Sequence, residues 1–297
     1  MTNALSFGPL VSTAWLAAHL GAPDLVVLDA TVIKEVLGEL RFIRRPALRE
    51  FEAEGHIPGA RFADLVNEFS DLRAAFPFTR PTSRQIADAT ATHGITQDSR
   101  VVVYDALDGI WAARVWWVLR AFGHDKVAVL DVGLKKWRSE GRTLEYGSVP
   151  SVTPTGMPFE PKEDPDAFVD KAYVKRLLDA GGQDVLCNAL RRPVFSGAEQ
   201  AYPRPGRIPS SLSMPFDELI DPATNALLSV EALRERLAPS IASGDRIVTY
   251  CGGGITAAGL ALAYAACGIH RVTIYDGSLN EWTTDPDLPL VVDADVR

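Results

Sequence analysis

Cysteine is scarce in this 297-residue sequence. Cys187, Cys251 and Cys267 are too few and too scattered for a disulfide framework or a zinc site. No Cys-x-x-Cys pair is present, which disfavours dithiol exchange. Long apolar runs are missing too: no stretch approaches the ~20 apolar residues that a membrane span needs. The apolar run 255–266 is too short and sits among glycines. Residues 1–20 have no basic start and no long apolar centre, so no secretory signal is expected. Positive charge is in the minority, with 30 Lys+Arg against 38 Asp+Glu and a net charge of -8. Duplex-binding proteins carry a basic footprint, and no Lys/Arg run supplies one, so nucleic acid is disfavoured as a partner. What is present is ordinary globular composition, 47% hydrophobic and 23% charged. At roughly 150 residues per domain, the length favours two domains. The expectation is a cytoplasmic protein of a reducing compartment, with no membrane partner. The open question is which cysteine is free to react.

The chain repeats itself. Val101-Val102-Val103-Tyr104-Asp105 has the character of Ile247-Val248-Thr249-Tyr250-Cys251. Each is followed by a loop opening into an apolar helix, then by a glycine, Gly123 or Gly268. Short strands follow, at 127–131 and 272–276, and then a Gly, a Leu and a Trp in like order: Gly133, Leu134, Trp137 and Gly277, Leu279, Trp282. Residues 25–29 pair with 184–188, and His56-Ile57-Pro58-Gly59-Ala60 pairs with Arg207-Ile208-Pro209-Ser210-Ser211. The first copy carries a longer insertion, 32–54. Two tandem domains, 1–146 and 162–297, are expected, joined by a Pro/Gly/Ser/Thr-rich linker at 147–161. Within each, β-branched runs alternate with amphipathic helices, which predicts an α/β fold with a parallel sheet flanked by helices. Ligands bind such sheets beyond the carboxyl ends of the strands, where Cys251 and its counterpart Asp105 both fall.

The segment Cys251-Gly252-Gly253-Gly254-Ile255-Thr256 carries the chemistry. Successive glycines allow backbone conformations closed to other residues, so that several N–H groups can face one atom. The following helix adds its positive end to the same spot. That setting favours a thiolate over a thiol and makes Cys251 a candidate nucleophile held by backbone dipoles rather than by a histidine base. The alternative is a small core cysteine, which would have no use for a glycine loop. Cys187 and Cys267 lie on apolar elements and read as core residues. A phosphatase-type loop needs an arginine six positions after the cysteine, and Ala257 stands there. A lone thiolate facing several N–H donors suits a relay that accepts a sulfur atom as Cys–S–S⁻.

Taken jointly, the His56 to Ala60 motif, Tyr104-Asp105 through Trp116-Trp117, the Asp131 to Trp137 segment, the Cys251 loop and Asp276 to Trp282 resemble the two-domain sulfurtransferases of the rhodanese family. The resemblance spans nearly the whole chain. It implies a catalytically inactive first domain with Asp105 at the nucleophile position, an active second domain with Cys251, and a cleft between them. It further implies transfer of sulfane sulfur from a small anionic donor to a thiol or cyanide through a Cys251 persulfide, with no metal or organic cofactor. A thioredoxin-like protein is one acceptor of that kind. Thiosulfate-using members resemble one another in Arg and Lys after the cysteine, and mercaptopyruvate-using members in Gly-Ser-Gly. Gly252-Gly253-Gly254 is nearer the second, with Gly253 in place of the serine, so 3-mercaptopyruvate is the favoured donor and thiosulfate the next. The mercaptopyruvate type also has two substrate-gripping arginines where this chain has Leu190 and Val194. Arg191 and Arg192 lie between those positions and are the candidate substitutes, with Arg204 and Arg207 further off. Substrate binding is therefore expected of Gly252, Gly253, Gly254, Ile255, Thr256, Arg191 and Arg192. His56 reads as a turn residue bonding the backbone, and the tryptophans 111, 116, 117 and 137 as packing. A reading of another class remains open: a protein-fed persulfide carrier or regulatory module with little small-molecule turnover.

Overall fold

The structure is a computed structural model that describes residues 7–36, 42–150, 156–181, 183–242 and 245–293. Its chain divides into two compact units. One comprises Met1–Arg73 and Arg80–Glu163, the other Ala74–Thr79 and Asp164–Arg297. Residues 156–161, the end of the expected linker, go with the first unit.

The first unit runs β1 (Leu10–Val11), α1 (Thr13–His19), β2 (Leu25–Asp29), β3 (Val32–Val36), β4 (Phe42–Pro46), α2 (Leu48–Glu54), β5 (Ala60–Phe62), α3 (Ser83–Thr92), β6 (Arg100–Tyr104), α4 (Ile110–Ala121), β7 (Val127–Leu130) and α5 (Gly133–Ser139). Its five-stranded sheet has the order β1-β7-β6-β2-β5, every pairing parallel. The second unit runs β8 (Phe168–Val169), α6 (Lys171–Ala180), β9 (Val185–Asn188), α7 (Arg192–Ser196), β10 (Leu212–Ser213), a 3-10 turn (Phe216–Glu218), α8 (Val230–Ile241), β11 (Ile247–Tyr250), α9 (Ile255–Ala266), β12 (Val272–Tyr275) and α10 (Ser278–Trp282). Its sheet order, β8-β12-β11-β9-β10, is the same order in corresponding strands, again all parallel. The insertion expected at 32–54 is the antiparallel hairpin β3–β4 followed by α2.

The strand sequences account for this. A central parallel strand is covered on both faces and must be apolar on both, which is why β6 carries three consecutive buried valines, Val101 to Val103. The helices after the two central strands, α4 and α9, have twelve residues each and are apolar almost all round, as a helix packed within a core must be. Each copy closes with a buried tryptophan whose indole N–H is satisfied by a carbonyl. Trp137 donates to Thr143 at 2.9 Å and Trp282 to Pro289 at 2.9 Å. Trp116 donates to Val127 in the same way, so these rings pack as expected. His56 stacks on Phe51 at 3.8 Å between ring centres, with its Nδ1 3.1 Å from the Phe51 carbonyl, which bears out the turn reading. Among the described residues no helix is long and apolar enough to cross a membrane.

At the carboxyl end of β2, burial raises the Asp29 carboxyl to about 6, against the hydrogen bonds that Thr31 donates to it. The corresponding residue of the second unit is Asn188, whose Oδ1 accepts the same kind of bond from the Leu190 N–H. A carboxyl that is harder to ionise folded than unfolded destabilises the fold as pH rises from about 4 to about 6, by roughly 3 kcal/mol for a shift of two units. Asp29→Asn removes that slope. Urea unfolding of both proteins at pH 4 and pH 8 is expected to show the variant gaining on the wild type at pH 8. A difference that is the same at both pH values would overturn this assignment.

Candidate active site

Strand β11 ends at Tyr250, and Cys251 is the first residue beyond it. The loop 252–254 leads into α9 through Gly254, which sits in the left-handed region at φ 80°, ψ -2°. The first unit is built alike: β6 ends at Tyr104, Asp105 follows, and Gly109 enters α4 at φ 83°, ψ -3°. This turn aims the N–H groups of the loop and of the first helical turn back at the residue that closes the strand. In the first unit the result is explicit. Asp105 Oδ1 accepts from Leu107 at 2.9 Å and Gly109 at 3.0 Å, and Oδ2 from Trp111 at 3.1 Å and Ala112 at 3.0 Å. Four backbone donors converge on one buried carboxylate, although burial still raises its pKa.

In the second unit the loop backbone is held from outside. Leu279 N–H donates to the Cys251 carbonyl at 3.0 Å and Asn280 N–H to the Gly252 carbonyl at 2.8 Å. The Cys251 N–H donates to Ser278 Oγ at 3.1 Å, and that hydroxyl donates on to the Tyr275 carbonyl at 2.8 Å. Ser278 is buried at φ 48°, a left-handed conformation held by these bonds. Among the described residues no carbonyl takes the N–H groups of residues 252–257, and no group pairs with the buried Thr256 hydroxyl. Below the loop, the Tyr250 hydroxyl accepts the Ile208 N–H at 3.2 Å and donates to Ser211 at 2.7 Å. Tyr104 takes the Ile57 N–H in the same manner at 3.3 Å, so the strand-end tyrosine ties the Ile-Pro turn to the loop in both units.

The three glycines do not share one reason. Only Gly254 adopts a backbone that excludes side chains. Gly252 and Gly253 have no left-handed φ, and it is neighbours that keep them small. A Cβ on Gly252 would overlap the hydroxyl of Tyr202, and one on Gly253 would stand 2.7 Å from Asn280 Nδ2 and 3.5 Å from the Pro77 carbonyl. The expectation that all three supply conformational freedom is corrected accordingly. Sequence reasoning missed Tyr202, Ser278 and Asn280. Asp276-Gly277-Ser278 was visible as a motif, but nothing in the sequence placed Tyr202 beside the loop.

Cys187 and Cys267 are core residues, as expected. Burial pushes the Cys187 thiol up to about 12, and Tyr264 donates to its sulfur at 3.6 Å. Leu190 packs on the core of the second unit and Val194 is buried. Arg191 donates to both carboxylate oxygens of Glu199, at 2.7 and 2.8 Å. Arg191 does so from Nη2 alone, whereas Arg192 forks onto Glu218 through Nε and Nη2. Arg204 donates to four carbonyls, those of Trp282, Thr283, Asp285 and Leu288, which makes it a clamp within the fold. Arg207 pairs with Asp293 at 2.8 Å and lies over the Phe195 ring. Ile255 is buried in the first turn of α9. Among the described residues no group of three His, Cys, Asp or Glu could hold a metal ion.

The rhodanese-like domain family matches this chain twice, over residues 12–140 and 173–285. A thiosulfate/3-mercaptopyruvate sulfurtransferase of Arabidopsis thaliana, named as mitochondrial, is 34% identical over 95% of this chain and 78% of its own length. The 3-mercaptopyruvate sulfurtransferase of Escherichia coli K12 is 33% identical, covering 94% of this chain and 96% of its own. The human 3-mercaptopyruvate sulfurtransferase is 35% identical, over 92% and 91%. Among solved structures, the E. coli 3-mercaptopyruvate enzyme SseA superposes with a TM-score of 0.78 at 30% identity, over 91% of this chain and 98% of that one.

Removing the buried Asp105 carboxylate strands four backbone donors, those of Trp111 and Ala112 in buried surroundings. Asp105→Ala is expected to lower the stability of the protein by about 2–4 kcal/mol, at the upper end of costs for unsatisfied buried groups. Chemical denaturation measures it, and a loss below about 0.5 kcal/mol would show that the four contacts are dispensable.

Proposed function

The chain belongs to the rhodanese family and is a sulfurtransferase, and from that premise we propose that Cys251 carries the sulfur as a persulfide and that 3-mercaptopyruvate is the donor. One observation supports the placement above the rest. A strand–loop–helix turn like the one that gathers four N–H groups on the Asp105 carboxylate, one residue shorter but likewise entering its helix through a left-handed glycine, follows Cys251. A site that holds a fixed anion in one copy is built to hold a transient one in the other.

In the first half-reaction the Cys251 thiolate attacks the donor sulfur. The S–S bond forms as the C–S bond of 3-mercaptopyruvate breaks, and the electron pair leaves on carbon as the enolate of pyruvate. That enolate takes the proton of the transferred S–H, leaving pyruvate and Cys251–S–S⁻. The N–H groups of Gly252, Gly253, Gly254, Ile255 and Thr256, with the Thr256 hydroxyl, face the terminal sulfur as hydrogen-bond donors. In the second half-reaction a thiolate or cyanide attacks that sulfur and the Cys251 thiolate departs, giving an acceptor persulfide or thiocyanate. No metal or organic cofactor enters, and the kinetics are ping-pong. A thioredoxin-like protein is the protein acceptor to test, and a reducing compartment such as the cytoplasm suits a free thiolate.

Arg191 and Arg192 are the proposed grips for the donor carboxylate. Each already holds a carboxylate, Arg192 through a two-nitrogen fork and Arg191 through one nitrogen, so each must exchange Glu218 or Glu199 for the donor. Thiosulfate is the second donor, disfavoured by a loop without basic side chains.

Intact mass of wild type and Cys251→Ser after 3-mercaptopyruvate, with turnover measured against cyanide and a thiol, tests the proposal. Wild type is expected to gain one sulfur that cyanide removes, the variant none, with turnover falling at least 10³-fold. A persulfide formed once, without steady turnover, would favour the protein-fed carrier. Arg192→Ala and Arg191→Ala are expected to raise KM for 3-mercaptopyruvate about 10-fold at little change in kcat, as loss of a carboxylate contact of ~1.4 kcal/mol does. An unchanged KM in both removes these residues from the site.

A further inference from the structure

The two glycines that follow Cys251 are kept small by what stands against them, not by their own backbone. At Gly252 the obstacle is the hydroxyl of Tyr202. A Cβ lies ~1.5 Å from its Cα and consecutive Cα atoms ~3.8 Å apart, so a hydroxyl overlapping that Cβ position is within about 4 Å of the Gly252 Cα and about one residue from the nucleophile. The Tyr202 ring is half-buried and packs on the core of the second unit. The segment around it is pinned. Two residues on, Arg204 is fixed by four carbonyls. Arg207 exchanges both backbone hydrogen bonds with Val291, and Gly206 at φ 97° leaves no room for a Cβ beside the Val291 carbonyl. A phenol anchored at its ring and braced two residues away is a preorganised hydrogen-bonding group, held where a side chain of residue 252 would otherwise emerge.

We propose that Tyr202 is a specificity-determining residue of this sulfurtransferase: its hydroxyl replaces a side chain on the loop and meets the anionic donor bound over Cys251 with a neutral hydrogen bond. The proposal rests on the Cys251 reading and adds to it. Occupation by a phenol excludes a cation rooted at 252, so the site selects a donor that needs hydrogen bonds rather than full charge compensation. Asn280, whose side-chain nitrogen stands against Gly253 while its own N–H holds the Gly252 carbonyl, extends the same neutral lining.

The test is a steric exchange. Gly252→Ala is expected to lower kcat/KM for 3-mercaptopyruvate at least 10-fold, because the methyl group displaces Tyr202. Adding Tyr202→Ala is expected to bring Gly252→Ala back to within about 3-fold of Tyr202→Ala alone. Tyr202→Phe keeps the ring and is expected to raise KM for 3-mercaptopyruvate about 3- to 10-fold, the worth of one neutral hydrogen bond, with a smaller change for thiosulfate. A readout free of sulfur transfer runs alongside: the alkylation rate of Cys251 by iodoacetate relative to iodoacetamide, located by peptide mass. Tyr202→Phe is expected to lower that ratio, since the carboxylate of iodoacetate accepts a stronger hydrogen bond from the hydroxyl than the amide carbonyl of iodoacetamide does. Losses at Gly252 and Tyr202 that simply add, or a Tyr202→Phe protein with unchanged KM and unchanged alkylation ratio, would overturn the proposal. Failure of wild-type Cys251 to take up sulfur would instead strike the underlying reading, and the alkylation ratio would still decide the role of Tyr202.

Discussion

Each unit of this protein depends on one backbone turn, the left-handed residue that joins the central strand to the helix behind it. Gly109 and Gly254 adopt nearly the same angles, and from that single geometry the unpaired N–H groups of a helix start are swung onto the residue that ends the strand. A helix end in an interior must satisfy those donors or leave them for a ligand. The first unit satisfies them permanently with Asp105. The second has a cysteine there and leaves them available. The two units share one sheet order and differ at this turn, where Asp105 and a four-residue loop stand in the first and Cys251 and a three-glycine loop in the second.

The frame was legible in the sequence because it is written in periodicity. The valine run before Asp105 and the Ile-Val-Thr-Tyr run before Cys251 read as buried strands, and the pairing of landmarks gave the same succession of strands and helices twice. The chain's discontinuity was not legible. Nothing local marks Ala74–Thr79 as part of the second unit, because that membership arises from contacts made far along the chain. The arginines show the same limit from another side. Arg204 and Arg207 stood near a motif and had the charge to suggest a ligand, yet their donors are consumed by carbonyls of the 282–288 turn, and by Phe195 and Asp293. A guanidinium has five donors and will serve a fold as readily as a substrate, and only coordinates tell which.

The glycine triplet carries the same point at the scale of single atoms. From sequence, Gly252, Gly253 and Gly254 looked alike. In the structure one is glycine for its backbone and two for the space they give up, to Tyr202 and to Asn280. Space is a property of the neighbours, and a single chain read in order has no access to it.

The discontinuity of the second unit also bears on how the chain is made. Ala74–Thr79 emerges from the ribosome well before most of its own unit, so the first unit can complete its sheet before the Cys251 loop is synthesised. The approach of the Pro77 carbonyl to Gly253 can therefore close only after residue 253 has been made. The loop after Cys251 reaches its final surroundings only once both stretches of the second unit exist.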